Sequence, residues 1–159
     1  MGSGPIVEWD RGGPGCFCGV HLWQHYHTAD RFTGLFANLE DTQGRPHILQ
    51  AAEVITQNDW NHVAVTYSKT TGLATLYVNG VSVASKDVGS FTPQTSTQLH
   101  IGRRMSDGYS FSGLIDEIAI YSRALTAAEI KAIYDAGSAG MVKPPESAPI
   151  QTPPGQTGR

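Results

Sequence analysis

No apolar run in this chain approaches the ~20 residues that a helix needs to cross a bilayer, and no cluster of Lys and Arg offers a footprint for a phosphate backbone or an anionic membrane. With 11 basic and 14 acidic residues the formal net charge is -3, so nucleic-acid binding and membrane insertion are set aside. Cysteine is scarce. Cys16 and Cys18 are the only two, one residue apart, and a bridge between them would close a small strained ring rather than staple the fold. The opening MGSGPIVEWD lacks the basic, apolar and small-residue order of a secretory leader. Also missing are G-x-S-x-G, H-E-x-x-H and a phosphate loop, which removes the common hydrolase and kinase signatures. What is present is 159 residues, 40% hydrophobic with 18 glycines, a size and composition for one β-rich domain with a real core.

The clearest pattern lies in Trp60 to Lys86, WNHVAVTYSKTTGLATLYVNGVSVASK. Asn79-Gly80 sits between two alternating apolar runs, and a two-residue hairpin turn needs positive φ at both central positions, which Asn-Gly supplies. The turn predicts pairing of Val78 with Val81, Leu76 with Val83 and Ala74 with Ser85. The preceding strand predicts Tyr67 opposite Ala74, Val65 opposite Leu76 and Val63 opposite Val78. A slip of one residue would turn the whole apolar set to solvent, so the register is well specified.

Before this meander the chain predicts strands at Ile6 to Asp10, Phe17 to Gln24, Leu35 to Glu40 and His47 to Ala52, separated by Gly- and Pro-containing turns such as Asp41 to Pro46. On the second of these Val20 and Leu22 face one way, and His21, Trp23 and His25 the other. After it come strands at Leu99 to Arg104 and Leu114 to Tyr121, the latter apolar on both faces apart from Asp116 and Glu117 and therefore expected to be central and buried. Thr126-Ala-Ala-Glu129 is a capping box, with Leu125 and Ile130 as the staple and Gly137 as the stop. It predicts a helix over Ala127 to Ala136 that docks through Ile130, Ile133 and Tyr134. Residues 1–4 read as a tag or disordered start, 5–140 as the domain, and 141–159, rich in the five prolines that follow residue 143, as a linker or disordered tail. The expected fold is all-β: a two-sheet antiparallel β-sandwich of jelly-roll type with one short C-terminal α-helix.

W-x-H-V-A-V-T-Y at Trp60 to Tyr67, L-Y-V-N-G-V at Leu76 to Val81, I-G-R at Ile101 to Arg103, G-L-I-D-E-I at Gly113 to Ile118 and R-A-L-T-A-A-E-I at Arg123 to Ile130 occur in that order. Together they resemble the laminin-G-like branch of the concanavalin-A-like jelly rolls. The resemblance implies an extracellular or cell-surface binding module that often carries calcium. It also exposes a departure. Family members usually have two further strands ahead of the one that begins this chain, the first pairing with the strand that matches Leu114 to Tyr121. An apolar central strand left open is an aggregation hazard; either the N-terminal residues or a second copy of the chain, as a homodimer through sheet edges, is expected to cover it.

For a carbohydrate ligand the candidate aromatics are Trp23, Tyr26 and Tyr109, with His21, Asn38, Glu40, Arg104 and Asp107 as hydrogen-bonding groups. A half-exposed ring amid polar side chains suits a pyranose, whose C-H face packs on the ring while its hydroxyls find partners at the edge. The competing reading places Trp23 in the core of the opposite sheet face. Trp60 matches the family's structural tryptophan and is left out of the site. Asp116 is the candidate calcium ligand, against simple pairing of Asp116 and Glu117 with Arg103, Arg104 or Arg123. Cys16, Cys18, His21, His25 and His27 invite zinc, but their spacing matches no finger or ribbon. Asp116 and Glu117 fall on opposite faces of a strand, which cannot serve the paired carboxylates of a glycosidase. The expected function is therefore non-catalytic recognition of a carbohydrate or glycosylated surface. Assembly by strand addition is the alternative, and a glycoside hydrolase of the same fold a more distant third.

Overall fold

The structure, a computed structural model, describes residues 4–10, 19–25 and 33–137. Strands β1 (Gly4–Trp9), β2 (Val20–His25), β3 (Gly34–Leu39), β4 (Ile48–Ala51) and β8 (Leu99–Ile101) form one sheet in the order β4-β3-β2-β1-β8. Strands β5 (Val63–Tyr67), β6 (Leu73–Val78) and β7 (Val81–Asp87) form a second, and every pairing is antiparallel. One helix, α1 (Ala127–Ala136), follows. This is the two-sheet β-sandwich that the alternation predicts. Leu22, Leu35, Leu39 and Leu49 from the first sheet meet Ala74, Leu76 and Val78 from the second, with Phe91 closing one end.

The Asn-Gly turn behaves as its chemistry requires, with φ of 51° at Asn79 and 77° at Gly80. Val63, Val65 and Tyr67 pair with Val78, Leu76 and Ala74 in the expected register. On the other side Val78 meets Val81, but a bulge between Leu76 and Tyr77 sets Leu76 opposite Ala84 and Ala74 opposite Lys86, correcting the predicted Leu76–Val83 and Ala74–Ser85 pairs by one residue. Val83 is the residue left without a partner in the ladder, and it still packs on the core. A bulge bends and twists an edge strand, which β7 is.

The helix has the predicted bounds and the reciprocal capping box of Thr126 and Glu129. Leu125 and Ile130 join Tyr77 in a small second cluster against Ala64. Gly80 permits the close docking, since a Cβ there would lie 3.1 Å from the Tyr134 ring. Asp41 ties off the β3–β4 turn by accepting the amides of Gln43 and Arg45 and the side chains of Arg45 and His47. These contacts, the Arg45 amide foremost, hold its carboxyl well below the usual range.

Two expectations fail. Leu114 to Tyr121 is not a buried central strand: it is irregular and largely exposed, Leu114 at 79%. Among the described residues no backbone-to-backbone hydrogen bond joins residues 112–120 to another element, and extended chain without a ladder partner gains nothing from its alternation. Trp60, expected to be structural, is 63% exposed.

Candidate binding site

Alternation along β1, β2 and β3 sends Leu22, Ala37 and Leu39 into the sandwich and leaves a second row on the outer face of the five-stranded sheet. Register puts Glu8 opposite His21, His21 opposite Asn38, and Trp23 opposite Phe36. This row is polar and aromatic, yet Glu8 is 0% exposed and Trp23 7%. The cover includes the loop after β8, which turns back at an Arg103–Ser110 bridge and an Arg104 N–H donated to the Tyr109 carbonyl at 2.8 Å. Asp10, just beyond β1 and also buried, accepts the amides of Met105 and Ser106 at 3.2 and 3.0 Å and so fixes the loop to the sheet.

Inside this layer one carboxylate organises two partners. Glu8 accepts Nε1–H of Trp23 at 2.7 Å through one oxygen and Nε–H of Arg104 at 2.7 Å through the other. The Arg104 guanidinium carbon lies 4.1 Å from the Trp23 ring centroid, a cation–π contact out of water. Burial raises the Glu8 pKa, and the hydrogen bond and charge of Arg104 work against that rise. Removing either member of such a buried pair typically costs about 3–5 kcal/mol, because the other charge is stranded.

Tyr109 sits on top. Its ring is tilted 53° to Trp23 at a centroid separation of 5.9 Å, and the residue is 53% exposed. Asp107 accepts the Tyr109 amide at 3.2 Å and places its other oxygen 3.6 Å from Arg104 Nη1. An open aromatic therefore stands beside a carboxylate on a base that its neighbours hold rigid. His21 stacks on Phe36 at 6.0 Å, and its buried Nδ1 has no hydrogen-bond partner. Burial first, and the charge of Arg104 second, lower its pKa to about 4, so the ring is neutral at pH 7.

The structure thus gathers His21 and Trp23 of β2 with Arg104, Asp107 and Tyr109 of the loop after β8, two separate parts of the chain. Trp23 is corrected from a half-exposed platform to a buried support, because Arg104 and Tyr109 occupy the space over its ring. Asn38 shares the outer face, but its Oδ1 accepts the His47 amide at 3.0 Å and braces the turn into β4. Glu40 lies past the end of β3, where its carbonyl accepts the Gln94 amide. Tyr26, Cys16, Cys18 and His27 lie outside the described residues. Glu8 and Asp10 escaped the sequence reading, although a signal was there: Glu8-Trp9-Asp10 alternates, placing two carboxylates on the face opposite the core.

Asp116 departs from its expected place. It is exposed and accepts the amide of the next residue, Glu117, at 2.8 Å. Of its suggested partners, Arg104 is engaged with Glu8 and Arg123 with Glu129. Calcium needs six to eight oxygens, and among the described residues no group of three or more His, Cys, Asp or Glu converges to supply them. A groove of about 400 Å³ runs between β4 and β7 at the far edge of the sandwich, lined by Ile48, Gln50, Ala84 and Lys86 among others, and it contains no aromatic residue.

Two antiparallel sheets with an aromatic and charged outer layer define a jelly roll of the lectin-like class. The chain belongs to the concanavalin A-like lectin/glucanases superfamily, in its laminin G 3 family, whose profile matches residues 8–131. Solved structures agree on the fold. The Ruminococcus gnavus IT-sialidase CBM40 bound to alpha2,3 sialyllactose is 21% identical, over 83% of this chain and 74% of that one, with a TM-score of 0.68. The native heptameric SAP-like pentraxin from Limulus polyphemus is 18% identical, over 87% and 65%, at 0.61. The receptor binding domain of botulinum neurotoxin D is 18% identical, over 85% and 32%, at 0.55. No curated protein sequence matches the chain.

Proposed function

We propose that this domain is a non-catalytic carbohydrate-binding module whose ligand seats on Tyr109, beside Asp107. The observation that carries the reading is the half-exposed Tyr109 ring held over the buried Trp23–Arg104–Glu8 cluster. A ring fixed this way loses little entropy when a sugar's C-H face packs on it, and Asp107 accepts hydroxyl hydrogens at its edge. The fold can carry such a site, as the sialyllactose-bound module of the same architecture illustrates. Catalysis by the nearby carboxylates is disfavoured, because Glu8 is enclosed and both its oxygens are engaged, while Asp10 is buried and spends an oxygen on two loop amides. The setting that suits this reading is extracellular or at the cell surface, where glycans are displayed.

A glycan array followed by titration calorimetry tests it. Tyr109→Ala is expected to reduce affinity for a retained glycan at least tenfold while circular dichroism shows the fold retained. Silence of the intact protein on all glycans, or binding indifferent to Tyr109→Ala and Asp107→Asn, would remove the site.

A further inference from the structure

The seat at Tyr109 has a sign of charge as well as a shape. Arg104, the cation that shares the Trp23 support with Tyr109, is enclosed: its side chain is 9% exposed, its Nε–H bonds Glu8 at 2.7 Å, and its guanidinium lies on the Trp23 ring. Glu8 cancels its charge in place. Asp107 differs. Its side chain is 29% exposed, one oxygen accepts the Tyr109 amide at 3.2 Å, and the other stands 3.6 Å from Arg104 Nη1, so the carboxylate is fixed beside the open ring. The other cation of this loop, Arg103, is exposed, but it lies opposite Ser110 in the bridge, one step from the Arg104–Tyr109 pair, and alternation carries it to the other face of the ribbon. Among the described residues of this loop, the open charge beside Tyr109 is therefore the negative one of Asp107.

Resting on the Tyr109 seat proposed above, we infer that the ligand is a neutral sugar and that Asp107 is the residue that turns acidic sugars away. A pyranose packed on Tyr109 lies within a Debye length of Asp107, about 8 Å at physiological ionic strength. A carboxylate or sulfate on that sugar meets like charge, and the guanidinium that could answer it is committed to Glu8 beneath the ring. Hydroxyls meet the opposite case, since an ionised carboxylate only accepts and every sugar hydroxyl has a hydrogen to donate. Selection then comes from a repulsive element against the wrong ligand rather than from an added contact to the right one. For two charges some 4 Å apart in water the Coulomb energy amounts to a factor of about five in affinity.

Calorimetric titration of the full chain with matched pairs reads the outcome, each neutral glycan retained on the array being compared with the same glycan oxidised at C6 to its uronic acid. The parent is expected to bind the acid about fivefold more weakly or worse, the gap narrowing as salt is raised from roughly 0.01 to 1 M and closing in Asp107→Asn. The ratio within each variant is the readout, so a general loss of affinity in Asp107→Asn does not mask it. Acidic glycans bound as well as neutral ones or better, with Tyr109→Ala still abolishing binding, would overturn the inference and leave the seat standing. A gap that survives Asp107→Asn would take the role from Asp107, and should that variant fail to fold, a gap in the parent indifferent to salt does the same. Silence on every glycan removes the seat itself, and this inference with it.

Discussion

Two stretches of this chain are apolar enough to read as strands and meet different fates. Val63 to Asp87 folds into three paired strands, with Ala74 and Leu76 fully buried. Gly113 to Tyr121, no less apolar, lies open and irregular. The meander carries its own partners a few residues away, joined by a turn that fixes register, whereas the later stretch has no neighbour in sequence to pair with. Alternation states which faces a strand would have; only a partner makes it a strand.

The largest effect that would sharpen this contrast is at Leu76. Leu76→Ala opens a cavity in the sandwich and is expected to cost about 2–5 kcal/mol in urea unfolding. A loss below 1 kcal/mol would mean that the meander does not cover the core.

Next in size is a pH effect on the outer layer, where Glu8 and His21 are as buried as Leu76 and Val78 of the meander. The folded state holds His21 neutral down to about pH 4, against 6.5 when unfolded. Below pH 6.5 the unfolded chain therefore gains a proton that the folded one refuses, and stability falls as pH drops toward 4, by up to about 3 kcal/mol from this group. Below pH 4 both states are protonated and the slope ends. Glu8, with its raised pKa, acts in the opposite sense, so the measurement is the difference between the parent and His21→Asn across pH 7 to 4. Parallel curves would show that His21 reaches water.

A smaller effect belongs to the turn. Asn79 at φ 51° also accepts the His62 amide through its side chain. Asn79→Ala must hold a left-handed backbone with a methyl group, and a loss of about 1–2 kcal/mol is expected in thermal or urea unfolding. The smallest change is on the other side of the comparison: Leu114→Ser, at an exposed site, is expected to shift stability by less than about 0.5 kcal/mol. A larger loss in the monomer would mean that the segment is packed after all.

The legible parts of the fold were those decided within a few residues. The capping box at Thr126 placed the helix to the residue, and Asn79-Gly80 placed the hairpin, because both act through local backbone geometry. The bulge that displaces Val83 was not legible, since it arises where an edge strand bends over a core that the sequence does not display. At the site, strand alternation already put His21 and Trp23 on the face away from Val20 and Leu22. That Arg104 would lie on Trp23, and that Glu8 would bind both, depends on a contact 96 residues apart in the chain; no local pattern encodes it.

Sequence by itself determined the strand script, the turn, the helix and the family, because each rests on spacing over a handful of neighbouring residues. Tertiary structure alone decided which aromatic ring stays open, which carboxylate becomes a buried anchor, and that one of two apolar stretches forms no ladder among the described residues. Those outcomes depend on what chain closure brings alongside each side chain, and burial and pairing energies are set there.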